Sequence, residues 1–423
     1  MTAAGERVPV RPPARMAYVT SAFPTATETF VLFEILEVER LGGHVDVYPL
    51  RARGEEGVHP EADRLRERTH YMSLVARETL AAQVHWLRTD PRRYLRTMAS
   101  AVVRNVRSPR YLLRALYVAP LAARMAREMH DAGVERVHAH WATHPALAAY
   151  VIRGLTGIPY SFTAHAHDIY VDRTMLGEKV RRADFVATIS DFNRRLLEEE
   201  LGAAAASKVA IVRCGVDLGA FTPRTPRPPD GTLRACCVAG LREKKGHRYL
   251  IDAVSELRDQ GRDVRLSLVG EGELRDELTQ QVARLGLEDR VELLGHRPRA
   301  EVSRVLHDSD VMVLPSVETE GGDMEGIPVA LMEALASEVP VVASRLSGIP
   351  ELVIDGTTGT LVEQRDVAGL VRALGDIQDH PDAAAERARE GRRRVLEAYD
   401  LQRNTAELCR LFAGGAIPAP GAP

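Results

Sequence analysis

The chain has 423 residues, 45% of them hydrophobic, and a formal net charge of −3 at pH 7, which is length and apolar content for two domains with separate cores. The near-neutral balance argues against a nucleic-acid partner, since dedicated binders are usually clearly basic, and no apolar run is long enough to span a bilayer. Met1 to Arg15 carries Arg and Pro but no apolar segment of the secretory kind, so a cytoplasmic location is expected.

In chain order, residues 16–20 read as a buried first strand, followed by a turn at Ser21-Ala22-Phe23-Pro24, a helix from Glu28-Thr29-Phe30 to about Leu41, and a second strand at 44–48. Strand, turn, helix and strand at this spacing is the α/β pattern with parallel pairing. Residues 77–127 are helical in pattern and strongly basic, with Arg88, Arg92, Arg93, Arg96, Arg104, Arg107, Arg110, Arg114 and Arg124 against Glu78 and Asp90. Trp86, Leu87, Tyr94, Leu95, Met98, Tyr111, Leu112 and Leu116 are interleaved, a composition equally suited to an anionic membrane surface and to a solvated face. The stretch from Thr222 to Gly231 holds too much Pro for helix or central strand, and the domain boundary is placed there.

Beyond it the alternation returns: strands at 233–239, 264–269, 291–294 and 311–314, helices at 248–260, 274–285 and 302–307. The expected fold class is therefore α/β, two doubly wound Rossmann-like domains facing across a cleft at the carboxyl ends of their strands. The expected domains are 15–222 on the acceptor side and 232–397 on the nucleotide side, with 398–413 as a C-terminal helix packing back on the first domain. Residues 1–14 and the Pro/Gly/Ala tail 414–423 are expected to be disordered.

Cys214, Cys236, Cys237 and Cys409 lack CxxC spacing and read as buried thiols. His138, His140, His144, His165 and His167 form two groups without a settled ligand geometry, so no metal and no other cofactor is expected. Lysine is confined to Lys179, Lys208, Lys244 and Lys245 in a chain otherwise using arginine, the bias of a GC-rich genome. The doublet Lys244-Lys245 before Gly246 suits phosphate oxygens, or a solvated turn before a helix.

The most informative stretch is Asp323-Met324-Glu325-Gly326-Ile327-Pro328-Val329-Ala330-Leu331-Met332-Glu333-Ala334, in which seven residues separate two glutamates. Pro328 suits a first helical turn, and the Val329 and Ala330 amides would then face a phosphate at the positive end of the helix dipole. Glu333 inside an apolar helix needs a partner such as a ribose diol. By spacing alone, a dipole-complementing Glu and an ion-paired helix Glu fit equally well.

These elements, with Glu28-Thr29-Phe30, Phe162-Thr163-Ala164-His165-Ala166-His167-Asp168-Ile169, Ile189-Ser190, Cys214-Gly215-Val216-Asp217, Glu243-Lys244-Lys245-Gly246, Val269-Gly270-Glu271-Gly272 and Ser347-Gly348-Ile349-Pro350-Glu351-Leu352, run in the order of one family over nearly the whole chain. The sequence resembles a family 4 glycosyltransferase, a retaining enzyme of the GT-B fold, in the branch that includes exopolysaccharide and aminoglycoside-pathway enzymes. The resemblance implies that Lys245 binds the donor diphosphate, aided by the Gly326 turn and the Val329 and Ala330 amides. It further implies that Glu333 holds the ribose, Glu325 contacts the donor sugar, and His165 approaches the transferred sugar. The turn Gly295-His296-Arg297 resembles the base-binding segment. One departure is Gly240, where the family often carries a phosphate-binding Arg; Arg242 is the candidate substitute.

What the resemblance implies is transfer of a hexosyl or N-acetylhexosaminyl group from a nucleotide sugar, UDP-linked in many relatives, to an acceptor hydroxyl. That acceptor is an aminocyclitol such as 2-deoxystreptamine or a lipid-linked sugar. Glu28 and Asp168 are acceptor-side candidates, and Asp168 alternatively orients the imidazole or caps the following segment. Residues 77–127 would provide peripheral contact at the inner membrane face. A non-catalytic nucleotide-sugar-binding regulator and a GT-B sugar-nucleotide epimerase are the alternatives.

Overall fold

The structure is a computed structural model that describes residues 11–25, 28–52, 59–106, 108–228 and 230–418; Arg107 of the basic segment lies outside them. The chain forms two compact units, one of residues 1–189, 194–212 and 402–423, the other of residues 190–193 and 213–401.

The first unit is built on six parallel strands, β1 (Arg15–Thr20), β2 (His44–Pro49), β3 (Arg136–His140), β4 (Tyr160–Ala164), β5 (Val186–Thr188) and β6 (Val209–Ile211), in the order β2-β1-β3-β4-β5-β6. Helices cover both faces, so the strands read as continuous apolar runs: five of the six β1 residues, Met16 to Thr20, are buried. The helix Thr29–Arg40 contributes Val31, Leu32, Ile35 and Val38 to this core. The C-terminal helix Leu401–Phe412 adds Leu408, Cys409, Leu411 and Phe412, and Ile417 packs beside them. The expected disorder of the tail therefore does not extend to Ile417, which has an apolar surface to cover; Ala14 likewise accepts the His44 amide at 3.0 Å. Residues 1–10 and 419–423 lie outside the described residues.

Between β2 and β3 stand the helices Arg77–Thr89, Pro91–Val103 and Pro109–Asp131. Pro109–Asp131 buries a long apolar face, whereas Arg77–Thr89 and Pro91–Val103 are anchored by a few inward side chains. The Trp86 indole N–H donates to the Ala123 carbonyl at 2.8 Å, and a Cβ on Gly154 would meet Thr97 at 2.6 Å, so the helix Pro91–Val103 approaches its neighbour His144–Thr156 at backbone distance. Most of the large apolar side chains exposed among the described residues belong to this region, including Val75 at 92%, Leu80 at 70%, Leu95 at 58% and Leu113 at 68%.

The second unit repeats the plan with β7 (Thr232–Val238), β8 (Asp263–Val269), β9 (Val291–Gly295), β10 (Val311–Leu314), β11 (Val341–Ser344) and β12 (Thr360–Val362), all parallel, in the order β12-β11-β10-β7-β8-β9. The order reverses direction between β7 and β10, the switch point at which ligands bind in open α/β sheets. The expected boundary at 222–231 is corrected: the second unit begins at Arg213. Val216 and Phe221 are buried in its core, the Arg224 amide donates to the Ser337 carbonyl at 2.9 Å, and Arg227 pairs with Asp310 at 3.2 Å. Proline prevented regular structure there, yet hydrogen bonds hold the segment against the second unit.

Candidate functional site

In the second unit, two loops meet at the switch point. The turn after β7 runs through Glu243–Lys245 into the helix His247–Asp259, and it turns at Gly246, with φ of +71°. A Cβ at Gly246 would lie 1.9 Å from the Pro315 carbonyl oxygen, so only glycine allows this approach. The loop after β10 is tied to the same turn where the Val317 amide donates to the Lys244 carbonyl at 2.9 Å. The result is an ion-pair cluster. Lys245 Nζ lies 2.9 Å and Lys244 Nζ 3.4 Å from the Glu325 carboxylate, and Lys244 also reaches Asp323 at 3.4 Å.

Glu325 is only 12% exposed. Desolvation pushes its carboxyl up, but Lys245 and Lys244 outweigh that and hold it below the ordinary carboxylate value. Its backbone is fixed too, because the Ser347 hydroxyl bonds the Glu325 and Gly326 carbonyls. Ser347 and Asp323 were missed as site residues in the sequence, although both lie inside stretches quoted for the resemblance.

Val329–Ala336 is the helix, with Pro328 as its N-cap at φ −66° and ψ 128°. Pro328 thus stands one position before the first turn in which it was expected, and Val329 and Ala330 are the first two helical residues, whose amides lack intrahelical acceptors. Glu333 lies one turn further on and is half-buried. Its carboxyl makes no hydrogen bond or ion pair with the described residues. Burial drives it up to about 7, against the downward pull of Arg299, itself paired with Asp217 at 2.6 Å. A carboxylate so placed has unspent acceptor capacity for a pair of hydroxyls.

The neighbouring strand ends complete this face. Gly270 and Gly272 follow β8, and a Cβ on either would collide with backbone at 2.1 and 2.3 Å. Gly295 ends β9 with φ of +74° and accepts the Gly270 amide at 2.9 Å through its carbonyl. His296 and Arg297 are half-buried, and Arg297 pairs with Glu301 at 3.5 Å. Arg242 is exposed and makes no ion pair among the described residues. At Gly240 a Cβ would find only the Glu271 carbonyl at 3.5 Å, an ordinary contact, so the missing arginine is a chemical choice and not one forced by the backbone.

In the first unit, His165 follows β4 and is 4% exposed. It packs against Trp141, ring centroids 4.5 Å apart, and Phe30, 4.9 Å. Trp141 has φ of +83°, a costly conformation for a bulky residue and one that concentrates at functional sites. Asp168 is 1% exposed and accepts amides from Ala142 at 2.7 Å, Ala166 at 2.8 Å and His165 at 3.1 Å. This corrects both the acceptor-side and the imidazole-orienting readings: the carboxylate caps the segment and fixes the backbone that carries His165. Glu28 is the N-cap of Thr29–Arg40, and its amide donates to the Thr25 hydroxyl at 3.1 Å.

The partners of the imidazole were not foreseen. His165 Nε2 lies 3.1 Å from His140 Nδ1, and His140 Nε2 lies 3.1 Å from Glu34 Oε1, which also accepts the Tyr18 hydroxyl at 2.9 Å. Glu34, His138 and His140 place ligand atoms within 4.8 Å of one another, but both His138 nitrogens meet hydroxyls, of Ser161 and Thr163, at 2.9 Å. That arrangement is a hydrogen-bond network with its donors and acceptors matched.

A parallel sheet with a cationic turn, a helix N-terminus and an acceptor carboxylate at its switch point suits a ligand that carries phosphate and donates hydroxyls. Comparison with known proteins agrees. The description "Glycosyltransferase Family 4" matches residues 28–220 and "Glycosyl transferases group 1" matches 232–380. An Escherichia coli protein named as a colanic acid biosynthesis glycosyltransferase is 31% identical over 420 residues, spanning 94% of this chain and 99% of its own. The 2-deoxystreptamine glucosyltransferase of Streptomyces kanamyceticus is 28% identical over 73% of this chain and 87% of its own. Among solved structures, a sucrose-phosphate synthase from Thermosynechococcus elongatus superposes with a TM-score of 0.73 at 17% identity, over 95% of this chain and 99% of that one. Anabaena HepE in complex with UDP-glucose gives 0.70 at 17% identity, over 95% and 99%. The chain belongs to glycosyltransferase family 4 and has the GT-B fold.

Proposed function

We propose that this enzyme transfers a hexosyl or N-acetylhexosaminyl group, with retention, from a UDP-sugar to a lipid-linked sugar in exopolysaccharide assembly. The observation that carries the reading is the meeting of Lys245, Glu325 and the Val329–Ala336 N-terminus at the switch point, with Glu333 one helical turn away. Breaking the bond from the anomeric carbon to the diphosphate leaves negative charge on phosphate. Lys245 and the Val329 and Ala330 amides are preorganised to receive it, and a donor that binds here takes Lys245 from its ion pair with Glu325. Glu325 then turns to the sugar, Glu333 accepts from the ribose diol, and the Gly295-His296-Arg297 turn receives the base through backbone groups. The departing phosphate takes the acceptor proton on the same face, so configuration is kept and no metal is needed.

The exopolysaccharide reading draws on the colanic acid relative and on the region from Tyr71 to Tyr117. There exposed Leu80, Val84, Leu87 and Leu95 lie among exposed Arg88, Arg92 and Arg96, and these arginines make no ion pair among the described residues. Apolar side chains beside unpaired cations fit an anionic membrane surface. In this reading the region provides peripheral contact at the cytoplasmic face; no described helix is long and apolar enough to cross a membrane. The aminocyclitol relative favours a second reading, transfer to 2-deoxystreptamine. A UDP- and GDP-sugar panel offered with a lipid-linked sugar or 2-deoxystreptamine, read by mass spectrometry, decides between them. Product on the lipid acceptor supports the first reading, and product on the aminocyclitol alone replaces it.

A further inference from the structure

A second group of cations lines a small recess in the first unit. Thr143 and His144 come from the segment after β3, Asp172 and Lys179 from that after β4, and Tyr111 and Arg114 from the helix Pro109–Asp131. Segments that follow the carboxyl ends of strands are where open α/β sheets take ligands.

Lys179, on the helix Leu176–Arg182, is 2% exposed. Its ammonium has three N–H donors. Two go to the carbonyls of Ala142 and Thr143, the latter at 3.3 Å, and no carboxylate lies within ion-pair distance of it among the described residues. Desolvation lowers it to about 8, although Asp172 and Asp168 pull the other way. Arg114 is half-buried, 3.3 Å from Asp172, with its guanidinium 5.8 Å from the centre of the Tyr111 ring. Burial, then Arg114, brings the His144 imidazole down to about 4, so a neutral ring with one N–H stands among the cations. Lys179, Arg114 and Arg51 all act on His144, and they outnumber Asp172 and the amide-capping Asp168. The helix His144–Thr156 begins at the same place, and its dipole adds positive potential.

We propose that this recess binds a phosphoryl group of the lipid-linked acceptor, with Lys179 and Arg114 as its cations and the His144 ring as a further donor. That the phosphate belongs to the acceptor rests on the function proposed above; that the recess takes an oxyanion rests on its own geometry.

The cavity volume is about 20 Å³, room for one oxygen atom and not for a whole phosphate. The group therefore seats at the mouth with one oxygen inside, where the third N–H of Lys179 is unspent. Two neighbours of the recess suit what a lipid-linked phosphate carries. Leu113, Leu116 and Tyr117 lie within one turn of Arg114 on its helix and are exposed, a bed for hydrocarbon. Thr143 is two residues from Trp141, which packs on His165, and two residues span at most about 7 Å, so one acceptor can reach both the recess and the sugar-contacting histidine. The same positive charge works against a cationic aminocyclitol.

The test titrates the whole enzyme, its donor site filled with saturating UDP, with decyl diphosphate, a probe that carries hydrocarbon and phosphate but no sugar. Calorimetry is expected to show one site, weakened at least about 10-fold by Arg114→Gln, which removes a charged donor. Asp172→Asn should tighten binding several-fold, because Asp172 competes with phosphate for Arg114; no gain in that variant counts against Arg114 as the phosphate's cation. Absence of binding, or equal affinity in wild type and Arg114→Gln, overturns the proposal whether or not any sugar is transferred. Transferase assays supply the acceptor arm: Arg114→Gln should lower kcat/KM about 10-fold more for a diphosphate-linked acceptor than for the matching alkyl glycoside. An equal loss on both overturns the acceptor assignment. So does displacement of the probe by short-chain phosphatidylglycerol at equal concentration, which would give the recess to a membrane headgroup. Decyl diphosphate bound as expected by an enzyme that transfers to no lipid-linked sugar counts against the proposed function and the acceptor clause, and leaves the oxyanion site standing.

Discussion

Glu333 is expected to weaken the folded state in return for binding the donor, and Glu333→Gln separates the two effects. Burial raises its carboxyl from the ordinary 4.5 to about 7, so between those values the folded protein holds a proton that the unfolded chain has lost. Stability is therefore complete below about pH 4.5 and declines as pH rises through 7. At about 1.4 kcal/mol per pH unit of displacement the loss has a ceiling of about 3.5 kcal/mol. Glutamine fills the same space without the charge. Thermal unfolding of wild type and variant should coincide below about pH 4.5, separate between pH 4.5 and 7 and keep a constant gap above that, the variant melting several degrees higher at pH 8. Donor affinity should move the other way: hydrogen bonds from a diol to an ionised carboxylate are worth about 1.5–3 kcal/mol each, so UDP should bind roughly 10- to 100-fold more weakly by calorimetry. A variant that melts with wild type at pH 8, or binds UDP equally well, refutes the assignment.

Other outcomes follow from the same geometry. Gly246→Ala places a methyl 1.9 Å from the Pro315 carbonyl in a left-handed backbone and should destabilise the second unit by about 2 kcal/mol or more, seen as an early-melting transition by calorimetry. Lys245→Met should lower kcat about 10²- to 10³-fold, with a smaller loss for Lys244→Met, whose ammonium is shared with Asp323; steady-state kinetics would show equal losses if the lysines were interchangeable. Gly240→Arg should fold normally, because the Cβ meets only an ordinary contact, and should tighten UDP binding several-fold by adding a phosphate cation; unchanged affinity would mean Arg242 already fills that role. Arg88→Glu with Arg92→Glu and Arg96→Glu should abolish co-flotation with anionic vesicles while leaving transfer to a soluble acceptor analogue intact.

Alternating strands and helices, and the motifs at their junctions, could be read from the chain because they are local: β7, β8 and β10 differ from their sequence-based ranges by at most a residue at either end. The meeting of Lys245 with Glu325 was also readable in kind, since both occupy turns after strands. What stayed hidden depended on long-range packing. Glu34 lies 106 residues from His140, and in sequence it is one more acidic residue on an amphipathic helix. His138 and His140 looked alike, yet the sheet gives one two hydroxyl partners and the other a carboxylate and an imidazole. For Asp168 several readings stayed open for a similar reason: the amide of Ala142, which makes it a cap, comes from the neighbouring strand's loop. The boundary error at 222–231 shows that proline forbids regular structure without saying which core a segment joins.

The most direct test of the central claim is transfer of labelled sugar from UDP-sugar donors to a lipid-linked acceptor by wild type, Lys245→Ala and Glu325→Gln, with product anomer assigned by NMR. The account predicts product of the donor's own anomeric configuration from wild type and at least about 10²-fold slower formation by both variants. Product of inverted configuration, or full activity in either variant, would contradict it.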